Sequence, residues 1–155
     1  MIRSSKDVPA DGWAFFYSTT GSPGGHTIVE SGVNIHDGQW HHIAVTRTGG
    51  KVRLFTDGNL SKEENITATI YNSTAPVVIA SDQGDQWFTG KISNVRIVNG
   101  TAVYTSAFTP PTEPLTAITN TKLLCCQSQS SAVDVIGRPS SPNTGNCLLY
   151  TSDAA

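Results

Sequence analysis

Apolar and polar residues alternate in several short stretches of this chain, the pattern of β-strands with one buried face. The clearest pair is 39–47 and 51–58, both rich in β-branched and aromatic residues and separated by a glycine pair at 49–50. Because glycine adopts positive φ without strain, the pattern predicts an antiparallel hairpin with a tight turn. Asp-Gly-Asn at 57–59 predicts a second reversal, followed by a strand that begins near Leu60.

Other stretches with strand character lie on both sides of this hairpin. The predicted strands are 13–17, 26–30, 65–70, 76–80, 88–98 and 122–127. One segment, 100–108, instead predicts a single helical turn with Tyr104 and Phe108 on one side, stopped by the prolines that follow. Many short strands joined by polar turns predict an all-β fold.

The stretch 88–98 contains a conflict between period and hydrophobicity. Ile92 and Val95 are both typical core residues, but strict alternation cannot place them on one face. A β-bulge at 93–94 would turn both side chains inward, so a bulge is expected there. The residues expected to contribute to the core are Trp40, Ile43 or Val45, Leu54 and Ile97.

Length and composition divide the chain into a folded part and a tail. A chain of 155 residues corresponds to about one domain. We expect that domain at 1–127, because 128–146 has the small, polar composition of a linker. Residues 147–155 resemble translated read-through of a sequencing adapter and are expected to lie outside the fold.

The net charge and the cysteine content indicate which classes of binding partner and which cellular compartment to expect. The net charge of −2 predicts no basic face for nucleic acid, and no apolar run approaches the roughly 20 residues of a membrane helix. The adjacent Cys125 and Cys126 are expected on opposite faces of a strand, with Cys147 distant, so no disulfide scaffold is predicted. This cysteine usage favours assembly in a reducing cytoplasm, as for a virion component.

Four motifs, in this order, resemble the laminin G-like domains of the concanavalin A-type superfamily, and most closely those of phage tail proteins. They are Trp40–Arg47, Phe55–Gly58, Phe88–Ile92 and Gly100–Pro111. The resemblance covers roughly residues 13–127. It implies an antiparallel two-sheet jelly-roll sandwich and a binding role in a virion or at a cell surface.

The family normally opens with additional strands, and little before Trp13 could supply them, so the sandwich is expected to be incomplete at its N-terminus. A sheet edge would then lack its partner. Packing against neighbouring repeats of the same protein, or a homo-oligomer, is therefore expected.

The loop 81–86 is a candidate calcium site. Asp82 and Asp85 offer carboxylates among amide and carbonyl oxygens, which are the ligands that calcium prefers. Laminin G-like domains often hold calcium at a sandwich rim, so the resemblance favours a site here. The alternative is a solvated turn whose aspartates bind nearby backbone amides.

Trp87 is the candidate sugar-binding aromatic residue. If Phe88 lies in the core, its neighbour Trp87 faces outward, where a flat indole could stack on a sugar ring. Asp82, Asp85 and Gln86 would then bind the hydroxyls. The alternative is an indole that lies over a neighbouring loop.

No catalytic or zinc site is expected. Retaining glycosidases need two carboxyl groups about 5 Å apart, whereas Glu30 is isolated and the consecutive Glu63 and Glu64 diverge on a strand. His41 and His42 likewise project to opposite faces, with no third zinc ligand at suitable spacing. Two hypotheses remain: a glycan-binding adhesin or tail-fibre module, and a structural domain that packs against other surface proteins without binding sugar.

Overall fold

The computed structural model describes residues 1–4, 12–22, 25–80 and 88–127, and all regular secondary structure in these ranges is β-strand. The strands are β1 (Ile2–Ser4), β2 (Trp13–Ser18), β3 (His26–Glu30), β4 (Ile43–Thr48), β5 (Lys51–Thr56), β6 (Asn59–Asn65), β7 (Val95–Val98) and β8 (Thr121–Cys125). No helix of the described ranges is long and apolar enough to cross a membrane. The described residues fall into two compact units, one within 1–74 and 102–110, the other within 75–101 and 111–127.

The first unit is a sandwich of two antiparallel three-stranded sheets, ordered β1-β2-β3 and β4-β5-β6. Trp13 and Val29 from the first sheet form one buried cluster with Val52 and Leu54 from the second, and Ile66 completes it. The predicted all-β fold with two facing antiparallel sheets is therefore confirmed, as is the expected core position of Leu54.

Trp13 lies at the centre of this core and is fully buried. A buried indole N–H needs an acceptor, and Nε1 donates to Thr56 Oγ1 of the facing sheet at 3.0 Å. The backbone of Trp13 is held as well, since its carbonyl accepts from the amide of Ser31. The start of β2 is thus fixed to the end of β5.

The two predicted turns are confirmed. Gly49 and Gly50 join β4 to β5 with φ of 59° and 72°, and Asp57 and Gly58 join β5 to β6 with φ of 52° and 79°. Two consecutive positive φ values give the reversal whose twist matches that of the flanking strands. The β5–β6 register then shifts after Leu54, where one extra residue of β6 is absorbed.

Residues 102–110, called the strap below, cover the outer face of β4 and β5. Tyr104 and Phe108 stack with their centroids 3.5 Å apart, and both rings contact Phe55. The strap is not helical, so the predicted helical turn is wrong, although the two rings do share one side. The reason is tertiary, because the amide of Phe108 donates to the carbonyl of Gly58 and Thr46 Oγ1 donates to the carbonyl of Tyr104.

The second unit contains the β7–β8 pair, and β8 confirms the strand predicted near the end of the domain. The strand predicted at 88–98 begins only at Val95. Asn94 precedes it with a φ of 54°, and its amide donates to the carbonyl of Cys126. The alternation is thus broken close to the bulge predicted at 93–94, but the cause is a residue with left-handed backbone that precedes the strand. The shift in register between β7 and β8 lies elsewhere, between Ile97 and Val98.

Other expectations from the hydrophobic pattern are also corrected. Trp40 and Ile97 are exposed instead of buried. The strands predicted at 65–70 and 76–80 are absent, because β6 ends at Asn65 and neither 66–70 nor 76–80 is a strand. Cys125 and Cys126 do not diverge: their sulfur atoms lie 3.5 Å apart because Cys126 adopts a φ of 61° just beyond β8. β1, which the pattern did not indicate, pairs with β2.

Candidate functional site

The residues that the sequence singled out for calcium and sugar binding, Asp82, Asp85, Gln86 and Trp87, lie in 81–87, outside the described residues. Their roles stay predictions. One premise of the Trp87 argument is wrong, because Phe88 is 44% exposed and is not a core residue. The side of the chain that Trp87 occupies therefore no longer follows from Phe88.

The described residues hold another exposed aromatic side chain, Trp40, in the loop 37–42 that leads into β4. Its exposed fraction is 61%, which is high for so large an apolar side chain. We call residues 37–42 the Trp40 loop. It lies at the end of the second sheet where β4 begins and β5 ends, beside the Asp57–Gly58 turn.

Asp37 closes the Trp40 loop on itself. Its Oδ1 accepts from the backbone amide of Gln39 at 2.8 Å and lies 3.0 Å from Nε2 of His41. The residues before and after Trp40 are thus bonded to the same oxygen atom. Gln39 is held through its backbone amide and His41 through its side chain, while the indole between them stays in solvent.

Asp57 joins the loop to the sheet. Its Oδ2 lies 2.8 Å from Nδ1 of His41, and its Oδ1 accepts from the amide of His42 at 2.8 Å. The amide of Asp57 in turn donates to the carbonyl of His42. Asp57 can present its carboxylate in this way because it occupies the first position of the tight turn, with positive φ.

We call Asp37, His41 and Asp57 the Asp–His–Asp cluster. In this cluster two negatively charged carboxylates flank an imidazole that is positively charged when protonated. The pKa of His41 is raised, first by the hydrogen bond to Asp57 and then by that to Asp37, against a smaller effect of burial. Burial works to raise the pKa of Asp57, but the hydrogen bonds from His41 and the His42 amide lower it on balance. The pKa of Asp37 is lowered mainly by the Gln39 amide and then by His41.

The exposure of the cluster is uneven. The His41 side chain is 16% exposed, whereas both aspartate side chains are 46% exposed. The imidazole is therefore largely enclosed, and the carboxylates keep a face toward solvent. Each carboxylate has lone pairs beyond those used in the cluster, so it can still accept hydrogen bonds from a bound molecule.

Below the loop, the ring of His42 packs on the strap. Its centroid lies 5.4 Å from that of Phe108 and 6.2 Å from that of Tyr104, both edge to face. His41 and His42 thus project to different sides, as the sequence predicted, but each has a structural partner. Among the described residues, no three His, Cys, Asp or Glu side chains are arranged to hold a metal ion.

The hydrophobic pattern and motifs of the sequence do not identify Asp37, His41 and Asp57 as a group. A usable signal was present in the hairpin register, since a two-residue turn at 49–50 places His42 opposite Asp57. That register brings the aspartate carboxylate to the start of β4. Asp37 gave no comparable signal, because its contact with His41 depends on the path of an irregular loop.

Comparison with known proteins supports the architecture. A laminin G family model, described as concanavalin A-like lectin/glucanases superfamily, matches residues 4–107, about two thirds of the chain. Searches of the curated proteins and of the solved structures found no match. The matched region contains strands β2 to β6 and the whole Asp–His–Asp cluster, and such domains often bind glycans or proteins. The chain belongs to the laminin G-like family of the concanavalin A-like lectin/glucanase superfamily.

Proposed function

We propose that this chain is a non-catalytic binding module of a virion or extracellular surface that recognises a glycan through the Trp40 loop. The observation that carries this proposal is the exposure of Trp40, 61%, on a loop in which Asp37 bonds the backbone amide of Gln39 on one side of the indole and the side chain of His41 on the other. An exposed ring on a fixed loop loses little conformational entropy when it binds.

The chemistry of the loop suits a sugar. The face of an indole offers flat apolar area to the CH groups of a pyranose ring. Asp37 and Asp57, both half-exposed, can accept hydrogen bonds from hydroxyl groups. An apolar surface beside acceptor groups is the combination that an amphipathic carbohydrate requires.

The acidic residues support binding rather than hydrolysis. A retaining glycosidase needs one carboxyl group with a raised pKa to serve as general acid, but the pKa values of Asp37 and Asp57 are both lowered. Glu63 forms ion pairs with Lys51 and Arg53. Asp37 and Asp57 thus suit a role as acceptors in binding.

The direct test is a glycan array probed with the wild-type chain and with Trp40→Ala. We expect the substitution to weaken the positive signals at least about tenfold, because it removes the stacking surface. Tyr71→Ala is the matched control, since Tyr71 is also exposed but lies near Ser18 at the far end of β2. Equal signals for wild type and Trp40→Ala, with both proteins folded, would contradict the assignment to Trp40.

Trp87→Ala forms a separate arm of the same experiment. The sequence-based hypothesis places the sugar at Trp87 with Asp82, Asp85 and Gln86. Loss of signal with Trp87→Ala and not with Trp40→Ala would move the glycan site to the loop 81–86. Loss of signal with Trp40→Ala and not with Trp87→Ala would support the Trp40 loop.

Calcium binding at Asp82 and Asp85 is part of the same proposal, supported by the hard oxygen donors of that loop. We expect millimolar calcium to raise the melting temperature of the wild-type chain, because a ligand that binds only the folded state stabilises it. The double variant Asp82→Asn, Asp85→Asn should lose this shift. A wild-type melting temperature that does not respond to calcium would contradict a tight site.

A second candidate, a structural domain that packs against other surface proteins, is favoured by one observation in the second unit. Val77 and Val78 are adjacent and exposed, Val77 by 69%. Adjacent exposed apolar side chains are more typical of protein contacts than of sugar sites. A chain that gives no array signal but associates in sedimentation experiments, and loses that association with Val77→Asp, would support this alternative.

A further inference from the structure

The two nitrogen atoms of the His41 ring both face carboxylate oxygens. Nδ1 lies 2.8 Å from Asp57 Oδ2, and Nε2 lies 3.0 Å from Asp37 Oδ1. An ionised carboxylate only accepts hydrogen bonds, and a neutral imidazole has one N–H and one lone pair. Both contacts are therefore hydrogen bonds only when the ring carries two protons and is a cation.

We propose that His41, as an imidazolium cation, is the positioning residue of the Trp40 loop, and that loss of its proton to solvent weakens glycan binding in mildly alkaline solution. The inference rests on the proposed function, because it concerns the same loop. It adds that the affinity of the site for glycan depends on whether His41 is protonated.

The geometry indicates which bond is lost. Asp57 is fixed to the sheet, because its side chain also accepts from the His42 amide and its own amide donates to the His42 carbonyl. Asp37 belongs to the loop itself. When the ring is neutral, it can keep Nδ1–H bonded to Asp57, while the lone pair of Nε2 faces Asp37 and repels it.

Loss of the bond between His41 and Asp37 removes one of the two hydrogen bonds that Asp37 Oδ1 makes to the neighbours of Trp40. The Gln39 amide still donates to Asp37, but the residue after Trp40 is no longer bonded to the same oxygen. The loop then samples more conformations, and a ligand must restore their order when it binds. The affinity therefore falls although the stacking surface of Trp40 is unchanged.

The charges that face His41 come from two elements. Asp37 is in the loop and Asp57 is in the β5–β6 turn, and both stabilise the cation. His42, the last residue of the Trp40 loop, acts on Asp57, and its own ring lies against Phe108 and Tyr104. The raised pKa of His41 agrees with this arrangement and places the change above the ordinary value of 6.5.

The test combines a ligand-free and a ligand-dependent measurement on the whole chain. An NMR titration of the His41 ring should give a pKa above the ordinary value. On a glycan array of immobilised oligosaccharides, binding should be roughly tenfold weaker at about pH 9 than at about pH 6, in line with one lost charge-assisted hydrogen bond.

Two variants separate positioning from general stability. Asp37→Asn keeps an acceptor oxygen but removes the charge, so it should move the midpoint of the binding profile to lower pH. His26→Gln is the control, because His26 is exposed on β3 and its ring contacts Phe16. The profile of His26→Gln should match that of the wild type.

A His41 pKa at or below the ordinary value, or an array signal that is equal at both pH values, would overturn the inference. If no glycan binds at any pH, the proposed function fails. Amide exchange at Gln39 then decides the positioning role: a rise with pH steeper than that of exposed amides supports it, and a parallel rise overturns it.

Discussion

Trp13 and Trp40 are the same residue type in opposite environments. Trp13 is fully buried between two sheets with its indole N–H bonded to Thr56, whereas Trp40 is 61% exposed on a loop. Trp13 begins a strand whose alternate residues face the opposite sheet. Trp40 precedes β4 by three residues, in a loop whose hydrogen bonds involve Asp37 and Asp57.

The difference between Trp13 and Trp40 shows that hydrophobicity alone does not predict whether a residue is buried. A large apolar residue next to a strand is not a core residue unless the strand pairing continues through it. At Trp40 the backbone is fixed by polar groups on both sides, so the indole is held outside the core. One tryptophan stabilises the fold, and the other is available for binding.

The largest expected effect separates these two roles. Trp13→Ala should lower the free energy of unfolding by about 3–5 kcal/mol, because it leaves a large cavity and removes the donor to Thr56. Trp40→Ala should change it by no more than about 0.5 kcal/mol, as expected for an exposed side chain. Chemical denaturation of both variants measures this, and a similar cost at the two positions would contradict the comparison.

The turn beside the Trp40 loop provides the next test. Gly58 has a φ of 79°, and a Cβ there would overlap the carbonyl oxygen of Phe108 in the strap, whereas Gly49 has a φ of 59° and nothing within 4 Å. Gly49→Ala should cost about 1 kcal/mol from backbone strain alone. Gly58→Ala should cost about 2–3 kcal/mol, because the strap must also move. Equal unfolding free energies for the two variants would show that the strap does not rest on Gly58.

The pH dependence of stability sharpens the contrast between the apolar core and the charged loop. Because the pKa of His41 is raised in the folded state, its contribution is complete below the ordinary value of 6.5 and is lost as pH rises through the folded pKa. The lowered pKa values of the two aspartates, ordinarily 3.8, add stability that is lost as pH falls through their folded pKa values.

The Asp–His–Asp cluster should therefore contribute most between about pH 4 and 6.5. Thermal melts of the wild type and of His41→Gln should differ most in that window and converge above it. A constant difference in melting temperature across the range would show that His41 contributes through packing instead of charge.

The smallest effect is spectroscopic and leaves the fold intact. In a Trp87→Phe background, Trp13 and Trp40 are the remaining indoles. Trp40→Phe should remove the red-shifted emission that acrylamide quenches, and Trp13→Phe should remove the blue-shifted emission that resists quenching, since the two side chains differ in exposure. Efficient quenching that persists in Trp40→Phe would show that Trp40 is not the accessible indole.

Local pattern predicted much of the fold because strands and tight turns have local signals. The glycine pair at 49–50 and the Asp57–Gly58 dipeptide identified both reversals of the second sheet, since positive φ is demanded by the turn itself. The strand at 13–17 was predicted from an aromatic run bounded by turn residues, with 26–30 as its partner, and the two do pair. The strap was misread as helical because its hydrogen bonds go to Gly58 and Thr46, which are distant in sequence.

The amino-acid sequence by itself determined the all-β class, the second-sheet hairpins and the family, because alternation, turn dipeptides and motif order are written along the chain. The tertiary structure alone decided which tryptophan is buried and which is exposed. It also brought Asp37 and Asp57 to the two nitrogens of His41. The physical reason is that burial and ion pairing depend on how an irregular loop returns to a sheet, and no local period encodes that path.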